Sequence, residues 1–273
     1  MNQRLNLQLI ENGYVHIPDG IDKRLIKIAQ ENINDSLKKI LISKKKDVSE
    51  KYDINFYNCL KILPQYELQV LLTQNIVGNN IVYQILRSKK ILDFLISSIG
   101  PDLEYESNCE LNIITIEEKR DYFVKKYHQE FWSGVGIASM MLWIPIYFEP
   151  NMASVEFIKK SHTWGHIPHK NREPIKLPNK YETEIIKAKE GSAVLTGSLT
   201  LHKSGRHKHS KPRIALPVVV RNFYYPKTGN EDLMEFRRLN WSYYSKLRKI
   251  LGNPHLSPFR TDLKRTINLE DKD

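Results

Sequence analysis

A run of short, β-rich segments between Asp102 and Tyr225 constrains the fold of this chain more than any other feature. Turn-forming residues separate segments that have the length and the β-branched and aromatic composition of strands. These segments are residues 110–116, 137–148, 153–158, 191–197 and 214–220. Closely spaced short strands of this kind are typical of a β-sandwich or a barrel.

Helical patterns flank the β-rich run on both sides. The strand-like stretch GYVHIPDG, residues 13–20, ends in a Pro-Asp-Gly turn, and Asp22 is then in position to cap a helix. Apolar residues follow at helical spacing as far as the lysines at 44–46. Further helices are predicted over residues 65–76, 79–86, 89–99 and 231–251. Gly100-Pro101 ends the third of these, and Gly252 with Pro254 ends the last.

No repeat, low-complexity segment or Ser/Gly/Pro-rich linker divides the 273 residues. We therefore predict one domain over residues 1–273, with three parts. Residues 1–101 form a mainly helical support, residues 102–225 the β core, and residues 226–273 a C-terminal helix and tail.

The overall composition excludes several classes of protein. No apolar run is long enough to span a membrane, and the N-terminus lacks the apolar core of a signal peptide, so we expect a cytoplasmic protein. With only Cys59 and Cys109, a disulfide framework or a cysteine metal site is not expected. The net charge of +11 is mostly an excess of Lys in a chain rich in Ile and Asn, which is typical of an A/T-rich genome. A nucleic-acid partner is therefore not predicted.

The stretch YHQEFW contains the first candidate site. On a strand, residues two apart face the same side, so His128 and Glu130 are predicted to project together. Two ligands from one strand and a distant His would form the set of two His and one carboxylate found in non-haem Fe(II) oxygenases. An HxE pair alone is weak evidence, because a solvated strand face is the commoner explanation.

The second candidate site lies between His202 and Arg213. His202 is predicted to end a strand, residues 205–212 to form a loop, and Arg213 to open the returning strand of a hairpin. A guanidinium near the His202 end can bind a carboxylate in a bidentate manner, with Ser204 adding a hydroxyl group. A 2-oxo acid would use this clamp at one end and chelate a metal at the other.

These motifs together resemble the phytanoyl-CoA dioxygenase-like family of Fe(II)/2-oxoglutarate-dependent oxygenases. The resemblance covers about residues 11–225, through ENGYVHIPDGID, YHQE, MLWIPIYFEPNMASVEFIKKSHTWGHIP, EGSAVLTGSLTLHKSG and KPRIAL. It implies an α+β fold: a double-stranded β-helix (a jelly-roll, cupin-like β-sandwich) braced by N-terminal and C-terminal helices. It also implies Fe(II), 2-oxoglutarate as cosubstrate, and O2.

The family motifs map onto particular residues of this chain. In the family an HxD motif and a distal His bind iron, and an Arg eleven residues after that His binds 2-oxoglutarate. The resemblance therefore implies that His128, Glu130 and His202 bind iron and that Arg213, at the same spacing, binds the cosubstrate. Further residues match positions that line the cosubstrate pocket, namely Ser204, Trp143, Asn112 and Asn108. Phe131 and Trp132 follow the ligand motif directly and are candidates for substrate contact.

Two departures from the family pattern matter. Glu130 replaces the usual Asp, and Lys159-Lys160 replaces a Pro-Gly turn. The longer carboxylate is either tolerated or the mark of a weakened site. Because a carboxylate is present where halogenating relatives have a small residue, hydroxylation or desaturation is favoured over halogenation.

The substrate is left open by the sequence. We expect a small or carrier-borne molecule, with a slight preference for polysaccharide or secondary-metabolite tailoring. The alternatives are a non-catalytic binding protein on the same fold, and an oxygenase that acts on a macromolecule. The remaining histidines, among them His162, His166 and His169, are predicted to be loop or surface residues, and the oligomeric state is not predicted.

Overall fold

The computed structural model describes residues 2–116, 124–225 and 234–250. Within these ranges the helices are α1 (Asn2–Asn12), α2 (Lys23–Ser43), α3 (Tyr52–Leu60), α4 (Gln65–Gly78), α5 (Ile81–Leu86), α6 (Lys89–Ile99) and α7 (Tyr243–Ile250). The strands are β1 (Tyr14–Ile17), β2 (Leu103–Glu106), β3 (Asn112–Ile114), β4 (Ser139–Tyr147), β5 (Val155–Ile158), β6 (His169–Lys170), β7 (Glu173–Pro174), β8 (Thr183–Ile185), β9 (Ala193–Gly197), β10 (His202–Ser204), β11 (Arg213–Asn222) and β12 (Phe236–Asn240).

Two antiparallel sheets form the core of the fold. The larger sheet has the strand order β1-β9-β4-β11-β2-β12, and β3 also pairs with β11. The smaller sheet has the order β10-β5-β8. A buried cluster that includes Trp143 of β4, Val194 of β9 and Phe157 of β5 packs between the two sheets, and the ring of Tyr14 stacks on Phe157 at 4.1 Å. This is the predicted jelly-roll sandwich.

Helices cover the other face of the larger sheet. Alternate residues of β4 and β11 point toward the helices and join their apolar residues in one core, namely Met140, Leu142, Ile144, Ile146, Ile214, Leu216, Val218 and Val220. The residues between them point toward the smaller sheet. Burial on both faces explains why these two strands are almost continuously apolar rather than alternating with polar residues.

Helix α2 anchors the helical layer. The Asp22 side chain accepts a hydrogen bond from the amide of Arg24 at 2.9 Å, which confirms the predicted cap. Ile33, Leu37 and Leu41 recur on one face of the helix and are fully buried. None of the helices within the described residues is both long and apolar enough to cross a membrane.

Some elements differ from the sequence prediction. Helices α1 and α3 and strands β2, β6, β7 and β8 are additional. The helix predicted over residues 231–251 is wrong for Phe236–Asn240, which form strand β12 on the edge beside β2, although α7 covers Tyr243–Ile250. The strand forms because it pairs with Leu103–Glu106 while Leu239 enters the core. Residues 226–233 and 251–273, which include the predicted Gly252 and Pro254 stop, lie outside the described residues.

The packing of α2 gives a stability prediction. Replacing the fully buried Leu37 by Ala removes apolar contacts and leaves a cavity, so we expect the free energy of unfolding to fall by about 2–5 kcal/mol. Ile42→Ala on the same helix, where the side chain is 62% exposed, is the control and should change it by less than about 0.5 kcal/mol. Urea unfolding measures both, and equal effects would contradict the observed orientation of α2.

Candidate metal centre

The segment His128–Glu130 is held beside His202 by two backbone hydrogen bonds. The amide of His128 donates to the carbonyl of His202 at 2.9 Å, and the amide of His202 donates to the carbonyl of His128 at 3.1 Å. The pairing is an isolated bridge and not the continuous strand that the HxE spacing suggested. A 3-10 turn begins at Glu130 and runs to Ser133. His128 and Glu130 nevertheless project to the same place.

His202 begins strand β10 instead of ending a strand. Strand β10 belongs to the smaller sheet and β11, which starts at Arg213, belongs to the larger one. The predicted hairpin is therefore wrong, although residues 205–212 do form a loop. That loop crosses from one sheet to the other, and this crossing brings His202 and Arg213 to the same space between them.

Three ligand atoms converge at this point. The nearer carboxylate oxygen of Glu130, Oε1, lies 3.3 Å from Nε2 of His128 and 3.2 Å from Nε2 of His202. The three ligand atoms lie within 4.8 Å of one another, and all three residues are buried. Among the described residues this is the one group of three or more His, Cys, Asp or Glu side chains with such spacing.

The outer nitrogens of both imidazoles face carbonyl oxygens. Nδ1 of His128 lies 2.7 Å from the carbonyl of Lys126, and Nδ1 of His202 lies 3.0 Å from the carbonyl of Thr200. A carbonyl only accepts hydrogen bonds, so each Nδ1 carries the hydrogen and each Nε2 of a neutral ring is left with its lone pair. The lone pairs of two nitrogens and one carboxylate oxygen are therefore directed at one another.

The electrostatic environment keeps His128 neutral and Glu130 ionised. Burial and the neighbouring His202 lower the pKa of His128 to about 4, so the ring is neutral at physiological pH. Burial alone would raise the pKa of the Glu130 carboxyl, but the charge of Lys125 acts against burial, and that pKa is well below its usual range. A neutral imidazole and an ionised carboxylate, beside a second imidazole, suit the donor set of a divalent transition metal.

Gln129 fixes the ligand segment from the opposite side. Its side chain is fully buried and donates to the carbonyls of Gly165 at 2.8 Å and Leu199 at 2.6 Å. Its carbonyl oxygen accepts from the amide of Ile167 at 3.1 Å. Sequence reasoning missed this role, although its position between two residues that face the site already implies that Gln129 faces away from it.

Arg213 is a buried cation in the same space. It is 1% exposed, and burial lowers its pKa to about 9. Its guanidinium donates to Asn112 Oδ1 and to the carbonyl of Ala153, and it lies 5.5 Å from the ring of Trp143. Nε has no hydrogen-bond partner within the described part of the chain. A buried guanidinium without an anionic partner is unstable, so its surroundings favour a bound anion.

One cavity of about 690 Å³ connects the three ligands with Arg213. Its wall on the larger sheet consists of the residues of β11, β4 and β9 that point toward the smaller sheet, namely Arg213, Pro217, Val219, Met141, Trp143, Val194 and Thr196. Phe157 of the smaller sheet lines the opposite side. The cavity is therefore the space between the sheets that apolar packing does not fill.

The structure places most of the other predicted site residues in this cavity. Ser204, Trp143 and Asn112 line it. Asn108 does not, because it lies on an exposed turn where its side chain accepts from the amide of Glu235 at 3.3 Å.

The two aromatic residues predicted to contact substrate are also placed elsewhere. The 3-10 turn rotates them away from the cavity, so that Phe131 packs on His166 and Trp132 stacks on His169 at 4.6 Å. Neither residue lines the cavity. Contact between substrate and Phe131 or Trp132 therefore stays a prediction that the lining of this cavity does not support.

Lys160 retains the backbone conformation that a glycine normally provides. Its φ is +61°, in the left-handed region. Its amide donates to the carbonyl of Asn12 at 3.2 Å, and its own carbonyl accepts from Thr163 Oγ1 at 2.7 Å. These bonds offset the strain, so the departure from Pro-Gly leaves the turn in place.

Comparisons with known proteins agree with this geometry. The family described as phytanoyl-CoA dioxygenase (PhyH) matches residues 76–215, slightly more than half of the chain. No curated protein sequence matches the chain.

Several solved structures share the fold. The chain is similar to a non-heme monooxygenase, ThoJ in its apo form, at 14% identity and a TM-score of 0.56, over 87% of this chain and 84% of that one. It is similar to the epimerase SnoN in complex with Fe3+, alpha ketoglutarate and nogalamycin RO, at 14% identity and a TM-score of 0.54, over 82% and 84%. It is also similar to EctD from S. alaskensis with 2-oxoglutarate and 5-hydroxyectoine, at 13% identity and a TM-score of 0.55, over 82% and 77%.

The anchoring of the ligand segment is testable. Gln129→Leu keeps a similar volume but leaves two carbonyls and one amide without partners, so we expect the free energy of unfolding to fall by roughly 2–4 kcal/mol. The exposed Gln84 on α5 gives a matched control, Gln84→Leu, with an expected change below about 0.5 kcal/mol. If urea unfolding shows the same stability for both variants, Gln129 does not anchor the segment.

Proposed function

The chain belongs to the phytanoyl-CoA dioxygenase family, and on that premise we propose that it is an Fe(II)- and 2-oxoglutarate-dependent dioxygenase. Its reaction would be the oxidation, in the first place hydroxylation, of a C–H bond in a small or carrier-borne organic substrate. The observation that carries the proposal is the convergence of His128, Glu130 and His202 on the wall of a cavity that also contains Arg213.

The three converging residues fit Fe(II). Two neutral imidazole nitrogens and a carboxylate oxygen are all acceptors, and a cation among them relieves the repulsion of their lone pairs. The Nδ1 bonds to Lys126 and Thr200 fix both rings with Nε2 directed inward, which is the usual support for a metal-binding His. Because Glu130 is present, the donor set favours hydroxylation over halogenation.

The surroundings of Arg213 fit the far carboxylate of 2-oxoglutarate. The guanidinium is buried, Asn112 orients one side of it and Trp143 lies beside it. A dicarboxylate supplies the anion that this site lacks, and Ser204 on the cavity wall adds a hydroxyl group. The remaining carboxylate and keto group of the cosubstrate would then be directed toward the three ligands.

The chain and the bound groups have separate tasks in this proposal. Fe(II), with 2-oxoglutarate and O2, would supply the oxidising chemistry, with succinate and CO2 as products. The chain keeps the His128 imidazole neutral and the Glu130 carboxylate ionised, orients the cosubstrate through Arg213, and excludes water from a buried site.

A small molecule is the substrate class that fits the cavity best. Two of the lysines that line it are neutralised by neighbours, because Lys126 pairs with Glu173 at 2.8 Å and Lys203 with Glu156 at 3.2 Å. These pairs argue against a continuous basic groove for a macromolecule. SnoN belongs to nogalamycin biosynthesis. We therefore place the tailoring of secondary metabolites before that of polysaccharides in this proposal. The buried free thiols of Cys59 and Cys109 suit a reducing, cytoplasmic compartment.

An anaerobic titration tests the metal and cosubstrate assignment. Adding Fe(II) and then 2-oxoglutarate to the wild type is expected to produce the visible charge-transfer band of a chelated 2-oxo acid. His202→Ala removes one ligand and should abolish the band. A wild type without the band, or a His202→Ala variant that keeps it unchanged, would favour the alternative of a binding protein without metal chemistry.

The role of Arg213 has a quantitative test. Arg213→Gln removes a buried charge partner, which corresponds to roughly 2–5 kcal/mol, and should weaken 2-oxoglutarate binding by at least about 30-fold. Arg206→Gln changes an exposed arginine of the neighbouring loop and is expected to leave the affinity unchanged. Calorimetry with the Zn(II)-loaded protein measures both. Equal affinities in the two variants would place the cosubstrate elsewhere.

A further inference from the structure

A half-buried carboxylate, Glu106, lines the same cavity and has no part in the metal or cosubstrate assignment. It is the last residue of β2 and follows Tyr105, which pairs with Val220 of β11. One step further along the ladder, Glu106 lies opposite Val219, whose backbone amide donates a hydrogen bond to the carboxylate. Its position is therefore set by the larger sheet.

Glu106 belongs to a row of cavity residues that crosses four strands. Val219 pairs with Met141, and Met141 pairs with Thr196. Paired residues of antiparallel strands share a face, so all four side chains point into the cavity, which each of them lines. Glu106 is the one ionisable member of this row.

This row lies at the opposite end of the cavity from Arg213. Both Arg213 and Val219 are on β11. They are six residue steps apart along the strand, which is roughly 20 Å. Because the cosubstrate is assigned to the Arg213 end, the substrate must occupy the Glu106 end. This step rests on the proposed function.

The Glu106 end is close to the candidate metal centre, and most of its other side chains are apolar. Val135 packs with Met141 and Val219, and its amide donates to the carbonyl of Glu130 at 3.3 Å. The charge of Glu130 acts on Glu106, and burial raises the pKa of the Glu106 carboxyl above its usual value. Val135, Met141, Val219 and Met234 form the apolar lining.

The Glu106 carboxylate is incompletely satisfied by the protein. Within the described residues it accepts one backbone hydrogen bond and forms no salt bridge, and the cation whose charge acts on it is the exposed Lys125. A carboxylate in an apolar wall is costly unless hydrogen-bond donors reach its remaining lone pairs. A substrate that fills this end can provide such a donor.

We propose that Glu106 is a substrate-recognition residue that accepts a hydrogen bond from an amino or hydroxyl group carried by an otherwise apolar substrate. The donor group and the apolar body would together match this end of the cavity. An anionic group would be rejected here, because it would face both Glu106 and Glu130. The bond to Glu106 holds the substrate beside the candidate metal centre and selects which of its carbons is nearest.

The test uses three probes that share one ring and differ in their polar group: cyclohexylamine, cyclohexanol and cyclohexanecarboxylate. Ligand-observed NMR measures their affinities for the full chain with Zn(II) and 2-oxoglutarate. The metal-free measurement uses the Arg213→Gln background, because without 2-oxoglutarate Arg213 itself would bind the carboxylate probe. We expect the wild type to bind the amine, the alcohol or both at least about tenfold more tightly than the carboxylate. A wild type that prefers the carboxylate, or that binds all three equally, overturns the proposal without any variant.

Two substitutions separate the two kinds of donor. Glu106→Leu removes the acceptor and should abolish the preference for the amine and the alcohol. Glu106→Gln keeps a hydrogen-bond acceptor but removes the charge. If the site binds an ammonium group, this variant should lose about tenfold in affinity for the amine. If the site binds a hydroxyl group, its affinity for the alcohol should stay unchanged. A preference unchanged in Glu106→Leu contradicts the proposal.

A matched control and a second readout keep this test independent of the proposed function. Glu110→Gln alters another carboxylate of the same cavity, one that already accepts from Gln69 at 3.1 Å, and should leave the probe preference as in the wild type. Loss of the preference in Glu110→Gln as well would overturn the assignment to Glu106. If Zn(II) and 2-oxoglutarate fail to bind while the metal-free protein keeps a Glu106-dependent preference, the proposed function is wrong and the recognition role stands.

Discussion

The site depends on three acceptor atoms that face one another at a buried point. The Nε2 atoms of His128 and His202 and the Oε1 atom of Glu130 lie 3.2–3.3 Å apart across the two His–Glu contacts. The hydrogen on each Nδ1 is donated to a backbone carbonyl, so a neutral ring has no N–H to donate to the carboxylate. Such an arrangement is unfavourable by itself and becomes favourable around a cation. The local structure is therefore suited to binding a metal ion.

The two-sheet architecture holds that point in place and gives the cavity two distinct ends. The loop between β10 and β11 crosses from the smaller sheet to the larger, which brings His202 and Arg213 to one space. Along β11, alternate residues carry the apolar core on one face and the cavity wall on the other. Arg213 begins that wall and Val219 ends it beside Glu106 of β2, so the cavity has a cationic end and an anionic end.

The sequence predicted the parts of the site that local spacing encodes. His128, Glu130, His202 and Arg213 stand at intervals that a family pattern preserves, and the sandwich follows from the strand-like segments. The features that the sequence did not indicate come from tertiary structure. The 3-10 turn that begins at Glu130 directs Phe131 and Trp132 out of the cavity, and no hydrophobic periodicity in the sequence indicates this turn. Strand β12 forms because an edge of the larger sheet accepts it, and Glu106 is placed by a ladder whose partner lies more than a hundred residues away.

The affinity for Fe(II) tests the central claim most directly. Anaerobic calorimetry of the wild type should show one ion bound per chain. Glu130→Gln keeps the shape of the side chain but removes the negative charge beside the two imidazoles. It should weaken Fe(II) binding by about 100-fold or more. Binding to Glu130→Gln with wild-type affinity and stoichiometry would contradict a metal centre built on His128, Glu130 and His202.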